Sequence, residues 1–229
     1  MIGVLIGVVL RNTVRQFPVV PSVTPVDAQS AKTFEFGSRG TIANARWDAA
    51  FYYARVADEL LAQSSITGAP LGTVNAPRTI HRGLELGGEW RFARFFHLRG
   101  AYLWSDFRFD RHPVYRDNDL PGIPSHFLRA ELLYRSPDGF YAGPNVEWSL
   151  RRYPVDMANS LYADSYAVLG FKLGQVVRKG LSWFVDARNL TDRNYAATTG
   201  VIADARGMNP ALFNPGLGRS VFAGIEWKQ

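Results

Sequence analysis

The chain contains no cysteine, which excludes a disulfide scaffold, a thiolate zinc site, an iron–sulfur cluster and a cysteine nucleophile. It also lacks a long hydrophobic run. The longest uninterrupted apolar stretch, Ile2 to Leu10, is far short of the roughly 20 residues a spanning helix needs. The four histidines, His81, His97, His112 and His126, show neither HxxxH nor HxH spacing, so no metal site is expected. No GxSxG, phosphate loop or dinucleotide fingerprint occurs, and Gly216-Leu-Gly-Arg-Ser220 lacks the lysine a phosphate cradle requires. The chain reads as no enzyme and as holding no cofactor. Asn189-Leu-Thr191 is formally a glycosylation sequon but reads more simply as a strand-to-loop turn.

Lysine is scarce as well: only Lys32, Lys172, Lys179 and Lys228 stand among 26 basic residues, and the net charge is +6. The arginines run from Arg11 to Arg219, interleaved with Asp and Glu. A nucleic-acid face would gather them into a patch, so no nucleic acid is expected as partner. Guanidiniums spread in this way suit carboxylates inside a barrel, or lipid phosphates. Aromatics make up 14% alongside 21 glycines, and mean hydropathy is −0.12. That mixture favours strands, bends and interfacial rings over helices.

From Thr33 onward, stretches of about ten residues alternate apolar and polar side chains, the period of strands whose faces meet different surroundings. Leu128, Ala130, Leu132 and Tyr134 oppose Arg129, Glu131 and Arg135. Phe140, Ala142, Val146 and Trp148 oppose Tyr141, Asn145, Glu147 and Ser149. The pattern recurs around Leu84–Trp90, Ala167–Leu173, Trp183–Ala187 and Val221–Trp227, about nine segments in all. Met1 to Pro25 adds none: Ile2 to Leu10 has no alternation, and Phe17 to Pro25 carries three prolines, which suits a loop.

Connections alternate in length. Short turns are expected near Gly40–Ala45, Arg91–Phe96, Ser136–Gly139 and Val176–Gly180, and long links over Leu61–Pro77, Arg108–Pro124, Arg152–Asp164 and Asp192–Gly218. An outer-membrane barrel keeps every long loop at one end. Charges inside the polar segments fit either a lumen or a watered outer surface, but Trp90, Tyr134, Phe140 and Trp227 lie near segment ends on the apolar face, as interfacial girdles do. The expected fold is all-β, an antiparallel transmembrane β-barrel meander. An open membrane sheet leaves unpaired backbone in lipid, and about nine strands is not the even number a single-chain barrel has. The meander therefore reads as part of a larger barrel, or as one closed by partner chains.

The run Phe184-Val-Asp-Ala-Arg-Asn-Leu-Thr-Asp-Arg-Asn-Tyr195, followed by a long loop and Gly218-Arg-Ser-Val-Phe-Ala-Gly-Ile-Glu-Trp227, resembles the C-terminal end of TonB-dependent outer-membrane receptors. Ala31-Lys-Thr-Phe-Glu-Phe-Gly-Ser-Arg-Gly40, Asn75-Ala-Pro-Arg-Thr-Ile-His-Arg-Gly-Leu-Glu-Leu86 and Leu120-Pro-Gly-Ile-Pro-Ser-His126 are similar to further strands and a loop re-entry of that family. The resemblance implies about nine strands of a 22-stranded barrel whose lumen a plug fills. It divides the chain into an atypical N-terminal segment, 1–31, and a C-terminal barrel portion, 32–229. Asn189, Leu190, Asp192 and Tyr195 carry the family's motif. The implied ancestral role is uptake of a ferric siderophore or similar scarce chelate, powered in an intact receptor by TonB–ExbB–ExbD. The plug and its TonB box have no match before Thr33, so the chain is not expected to transport alone.

Outer-membrane lipid, lipopolysaccharide and the barrel-assembly machinery are the remaining implied partners, although Gln229 stands where the family ends in an aromatic. The implied location is the Gram-negative outer membrane. Ile2–Leu10 makes a poor export signal, with no Lys or Arg before it and no small-residue cleavage site after it. Candidate ligand contacts are Arg108, Arg111, His112, Tyr115 and Arg116 in one loop and Arg151, Arg152, Tyr153 and Tyr162 in the next, where guanidiniums and phenols would hold an anionic chelate. The competing readings are a self-contained or oligomeric porin-like binding barrel and, third, a soluble ligand-binding barrel.

Overall fold

A computed structural model describes residues 2–6, 25–177 and 180–227. After β1 (Ile2–Ile6) come β2 (Ser30–Ile42), β3 (Ala45–Ser64), β4 (Pro70–Ala93), β5 (Phe96–Phe109), β6 (His126–Arg135) and β7 (Phe140–Ser149). They are followed by β8 (Tyr153–Pro154), β9 (Tyr162–Ala163), β10 (Tyr166–Val176), β11 (Leu181–Arg188), β12 (Ala196–Thr199), β13 (Phe213–Pro215) and β14 (Ser220–Trp227). Nine strands from β2 onward form an antiparallel meander in the order β2-β3-β4-β5-β6-β7-β10-β11-β14, with β1 added at the β2 edge. β8 pairs with β9, and β12 with β13, as small hairpins inside long loops. Among the described residues β14 pairs only with β11, so the sheet is open.

Two elements differ from the sequence reading. Ile2–Ile6 is a strand, antiparallel to β2 with Ile6 opposite Phe34; an all-apolar run carries no period-two signal, yet its backbone pairs as well as any. The adjoining segment, 7–24, lies outside the described residues, and with it most of the proline-bearing stretch read as a loop. Leu61–Pro77 is mostly strand rather than loop: β3 and β4 continue as a ribbon to Ser64 and Pro70. A ribbon standing clear of the apolar belt needs no alternation, because its backbone is satisfied by its partner strand.

The register sorts the side chains into two faces. Outward, Phe36, Phe51, Leu84 and Trp104 form one cross-strand row. Large apolar residues stay exposed on this face, Ile225 at 79% and Trp227 at 70%, which water would not tolerate over so wide a sheet but lipid would. Trp90, Tyr134, Phe140 and Trp227 all point outward at the short-turn end. Two of them sit in a chain of ring contacts, Trp90–Phe92–Phe96–Tyr134, with centroids 5.4, 5.8 and 5.6 Å apart.

Inward, Arg46, Glu89, Arg99, Glu131 and Asn145 form one row across five strands, alternating in sign over its charged members. Neighbouring strands bring such side chains within about 5 Å, so opposite charges are the favourable arrangement. Asp58 interrupts the alternation on β3 with a left-handed backbone (φ 54). The next side chain, Glu59, thereby turns inward to meet the Thr79 hydroxyl and His81 Nε2, the latter at 3.0 Å.

Candidate functional site

The inward face of β5–β11 lines a concave cavity of about 400 Å³. Its wall is built from ion pairs: Arg99 Nη2 to Glu89 at 2.6 Å, Arg129 Nη2 to Glu147 at 2.8 Å, Arg188 Nη2 to Asp186 at 2.7 Å, and Lys172 against Glu131. Each cation has a carboxylate beside it, so the wall is polar and close to charge balance rather than a field of one sign. Among the described residues no three His, Asp or Glu side chains are placed to hold a metal ion.

Above the wall, the long loops pack on one another and make the buried core of the described residues. Phe109, Leu120, Met157 and Ala76 form one cluster; Tyr153, Val155 and Ala163 a second; Ile202, Ala205 and Leu212 a third. Polar groups stitch them together. Met157 N donates to Ile202 O at 3.0 Å, Ser64 N to Val201 O at 2.8 Å and Gly122 N to Pro154 O at 2.7 Å. Asn118 Nδ2 donates to Met157 O, and the Asn159 amide exchanges two hydrogen bonds with the Asp119 backbone, all at 2.9 Å. Four loops thus form one folded roof.

Asp156, fully buried, is the hub of that roof. Its carboxylate accepts from Ser160 N (2.8 Å), Leu161 N (3.0 Å), Ala205 N (3.0 Å) and Ser160 Oγ (2.5 Å). Burial pushes the carboxyl up, but the donors from Ser160, Leu161 and Ala205 together outweigh it and hold it below the usual range.

The candidate ligand residues divide into four groups. Arg108 lies on β5 rather than in the loop, on the outward side opposite Ile80. His112 and Tyr115 stack on each other at 4.8 Å and meet the Phe109 ring in tilted contacts at 5.0 and 5.3 Å. His112 Nδ1 accepts the backbone N–H groups of Val114 and Tyr115, so it caps a turn, and burial lowers its pKa. Tyr153 is only 4% exposed and belongs to the second core cluster. Arg111, Arg116, Arg151 and Arg152 are exposed, and the Arg152 guanidinium lies 4.6 Å over the Tyr162 ring. Asp156, Asn118 and Asn159 were missed because isolated polar loop residues leave no period to read.

The four motif residues surround the neck of the last loop. Asn189, 1% exposed and left-handed (φ 51), donates to Arg193 O and Leu217 O at 2.9 Å and accepts from Arg193 N at 2.8 Å. Leu190 N donates to Leu169 O at 2.9 Å. Asp192 accepts from Arg219 N at 3.2 Å and pairs with its guanidinium at 3.3 Å. Tyr195 stacks on Tyr166 at 4.5 Å, and Gly216 N donates to its carbonyl. The motif clamps the outgoing and returning ends of a loop.

Comparisons with known proteins agree with this architecture. A family model described as "TonB dependent receptor-like, beta-barrel" matches residues 12–190. The fold is similar to the ferric yersiniabactin uptake receptor FyuA from Yersinia pestis, with a TM-score of 0.71 at 22% identity over 92% of this chain and 32% of that one. It is similar to the siderophore receptor PiuA from Acinetobacter baumannii, at 0.67 and 18% over 88% and 29%, and to the copper transporter OprC, at 0.69 and 18% over 89% and 32%. The chain spans about a third of the length of these structures.

Proposed function

We propose, from the premise that the chain belongs to the TonB-dependent receptor-like β-barrel family, that it contributes lumen wall and roof loops to an outer-membrane receptor that takes up a ferric siderophore or a similar scarce chelate. The observation that carries this reading is the pairing of an ion-paired concave wall with a roof whose loops pack together and leave Arg111, Arg116, Arg151 and Arg152 exposed. Guanidiniums at an entrance attract an anionic chelate and bind its oxygens by charge-assisted hydrogen bonds. Siderophore receptors among the similar structures support the cargo class. The energy source proposed for the whole receptor is TonB–ExbB–ExbD, and the surroundings proposed for it are outer-membrane lipid, with folding by the barrel-assembly machinery.

The test is uptake of radioactive iron, offered on a catecholate or a hydroxamate chelator, by cells expressing the full-length receptor. Replacing Arg111, Arg116, Arg151 and Arg152 by Gln is expected to lower uptake at limiting chelate by about tenfold or more, a loss of a few charge-assisted contacts. Unchanged uptake on both chelators by a receptor present at normal level overturns the reading.

The open sheet further supports a contributory rather than an independent role, because unpaired edges are costly in lipid. The isolated chain, refolded in detergent, is expected to form no heat-resistant closed barrel. A heat-modifiable monomer that conducts ions across a bilayer would instead favour a self-contained porin-like barrel.

A further inference from the structure

We infer that the inward rim at the short-turn end of β3–β6 is a binding site for a small, multiply charged oxyanion of the phosphate class, held by Arg91 and Arg135. The inference uses the family's membrane barrel, which puts the short turns on the periplasmic side, and it is independent of any cargo.

The sheet register assembles the site. Arg91 follows the inward Glu89 by two residues on β4, and His97 precedes the inward Arg99 by two on β5. Leu133 is opposite His97, and two residues further Arg135 ends β6. Together with Thr41, Asn44 and Arg46 of the β2–β3 hairpin, these side chains line a cavity of about 330 Å³, at the small end of ligand cavities. Two hydrogen bonds between turns fix the backbone that carries the arginines. Arg91 N donates to Asn44 O at 2.9 Å, and Arg135 N to Phe95 O at 2.7 Å.

The carboxylates of this end are engaged elsewhere. Glu89 lines the cavity, but its Oε2 accepts from Arg46 and its Oε1 from Arg99 Nη2 at 2.6 Å, so neither oxygen is left over. Glu131 meets Lys172, Asp186 meets Arg188, and Asp138 meets Ser136 and Gln175. Among the described residues no ion pair engages Arg91 or Arg135. His97, between them, lies in the field of Arg135, Arg91 and Arg99 and of one carboxylate, Glu89. Three guanidiniums line the cavity against one carboxylate, which leaves two positive charges unmatched, unlike the balanced wall nearer the roof.

That excess and its geometry select the ligand class. Two guanidinium forks on different strands suit an anion that presents oxygens in several directions and carries two or more charges. A monocarboxylate offers one planar edge and one charge, enough for a single fork. The Thr41 hydroxyl and the Asn44 amide add neutral donors at the third side. A bound oxyanion would thereby tie the β2–β3 hairpin to β4 and β6 across the periplasmic rim.

The experiment treats the purified full-length receptor, in detergent, with phenylglyoxal, which modifies accessible guanidiniums, and reads each arginine by mass spectrometry. Pyrophosphate is expected to slow modification of Arg91 and Arg135 about tenfold, the loss that charge-assisted contacts of this kind bring. Acetate at the same ionic strength should not slow it. Arg94, exposed in the same turn but outside the cavity, should keep its rate throughout. Binding of radiolabelled pyrophosphate should fall about tenfold in R91Q/R135Q. Absence of protection overturns the site, and so does a folded double variant that binds like the parent. Equal protection by acetate overturns the phosphate class. Arginines 91 and 135 that resist phenylglyoxal in every buffer would be held by carboxylates of the receptor's own lumen-filling part, which overturns the site as well. Should the variant not fold, the protection pattern on the unaltered protein decides alone. Iron uptake is not a readout, so failure here leaves the transport reading standing.

Discussion

The carboxylate of Asp156 accepts the backbone N–H of Ala205 at 3.0 Å, joining two long loops 49 residues apart. Three further donors converge on the same two oxygens, so one buried side chain holds the conformation of its own loop and the docking of the next.

Replacing Asp156 by Ala leaves three backbone N–H groups without their acceptor. The expected cost to roof docking is about 2–4 kcal/mol, from lost charged hydrogen bonds and unsatisfied donors. Hydrogen exchange of the full-length receptor checks it: amides over 196–213 should exchange faster while those of β6, β7 and β10 stay protected. Unchanged exchange at Ala205 would remove Asp156 from this role.

Acid should loosen the roof in two steps. His112 has a lowered pKa and its Nδ1 accepts two N–H groups, so the folded roof prefers the neutral ring. Its contribution is complete above the ordinary value near 6.5 and is lost as pH falls from there through the lowered value. Asp156 is lowered too; its contribution is present above the ordinary carboxylate value near 4 and is lost as pH falls through the folded one. Amide exchange at Val114 and Tyr115 should therefore accelerate first, and at Ala205 only in stronger acid. The reverse order would contradict the assignment.

A side chain at Gly216 has no room: a Cβ there would lie 2.0 Å from the Tyr195 ring, itself stacked on Tyr166. Gly216→Ala is expected to destabilise the loop neck by about 1–3 kcal/mol, as overpacking does. In a Tyr195→Ala background the same change should cost much less. Limited proteolysis across the four variants of the cycle measures the coupling, and additive effects would show that the two residues do not meet.

Asn189 combines a left-handed backbone with three hydrogen bonds from a buried amide. Asn189→Ala loses all three and keeps the backbone strain, at an expected cost of about 2–4 kcal/mol. Asn189→Asp keeps the acceptor for Arg193 N but sets a carboxylate against the Arg193 and Leu217 carbonyls, so it should rescue little. Thermal unfolding of the refolded receptor reads both, and a stable Asp variant would mean that the amide donors contribute nothing.

Much of the wall was legible. Arg129, Glu131, Glu147 and Asp186 fall inward, and Leu128, Val146 and Trp183 outward, as their alternation requires. Less of the roof was legible. Tyr153 looked like a ligand-facing phenol and is core; Arg108 looked like a loop residue and is an outward strand position. The motif around Asn189 was readable as a resemblance, but its work as a clamp became visible only with Leu217 and Gly216 folded back upon it.

The sequence by itself determined the strands, their two faces and the division into short-turn and long-loop ends, because side-chain alternation is a local property and the contrast between apolar and polar surroundings is written residue by residue. Tertiary structure alone decided which loop residues are buried and which cations share a cross-strand row. Phe109 meets Met157, and Lys32 falls into line with Arg55 and Arg108. Loop packing is an encounter between segments tens of residues apart, and cross-strand rows depend on register, so neither leaves a period along the chain.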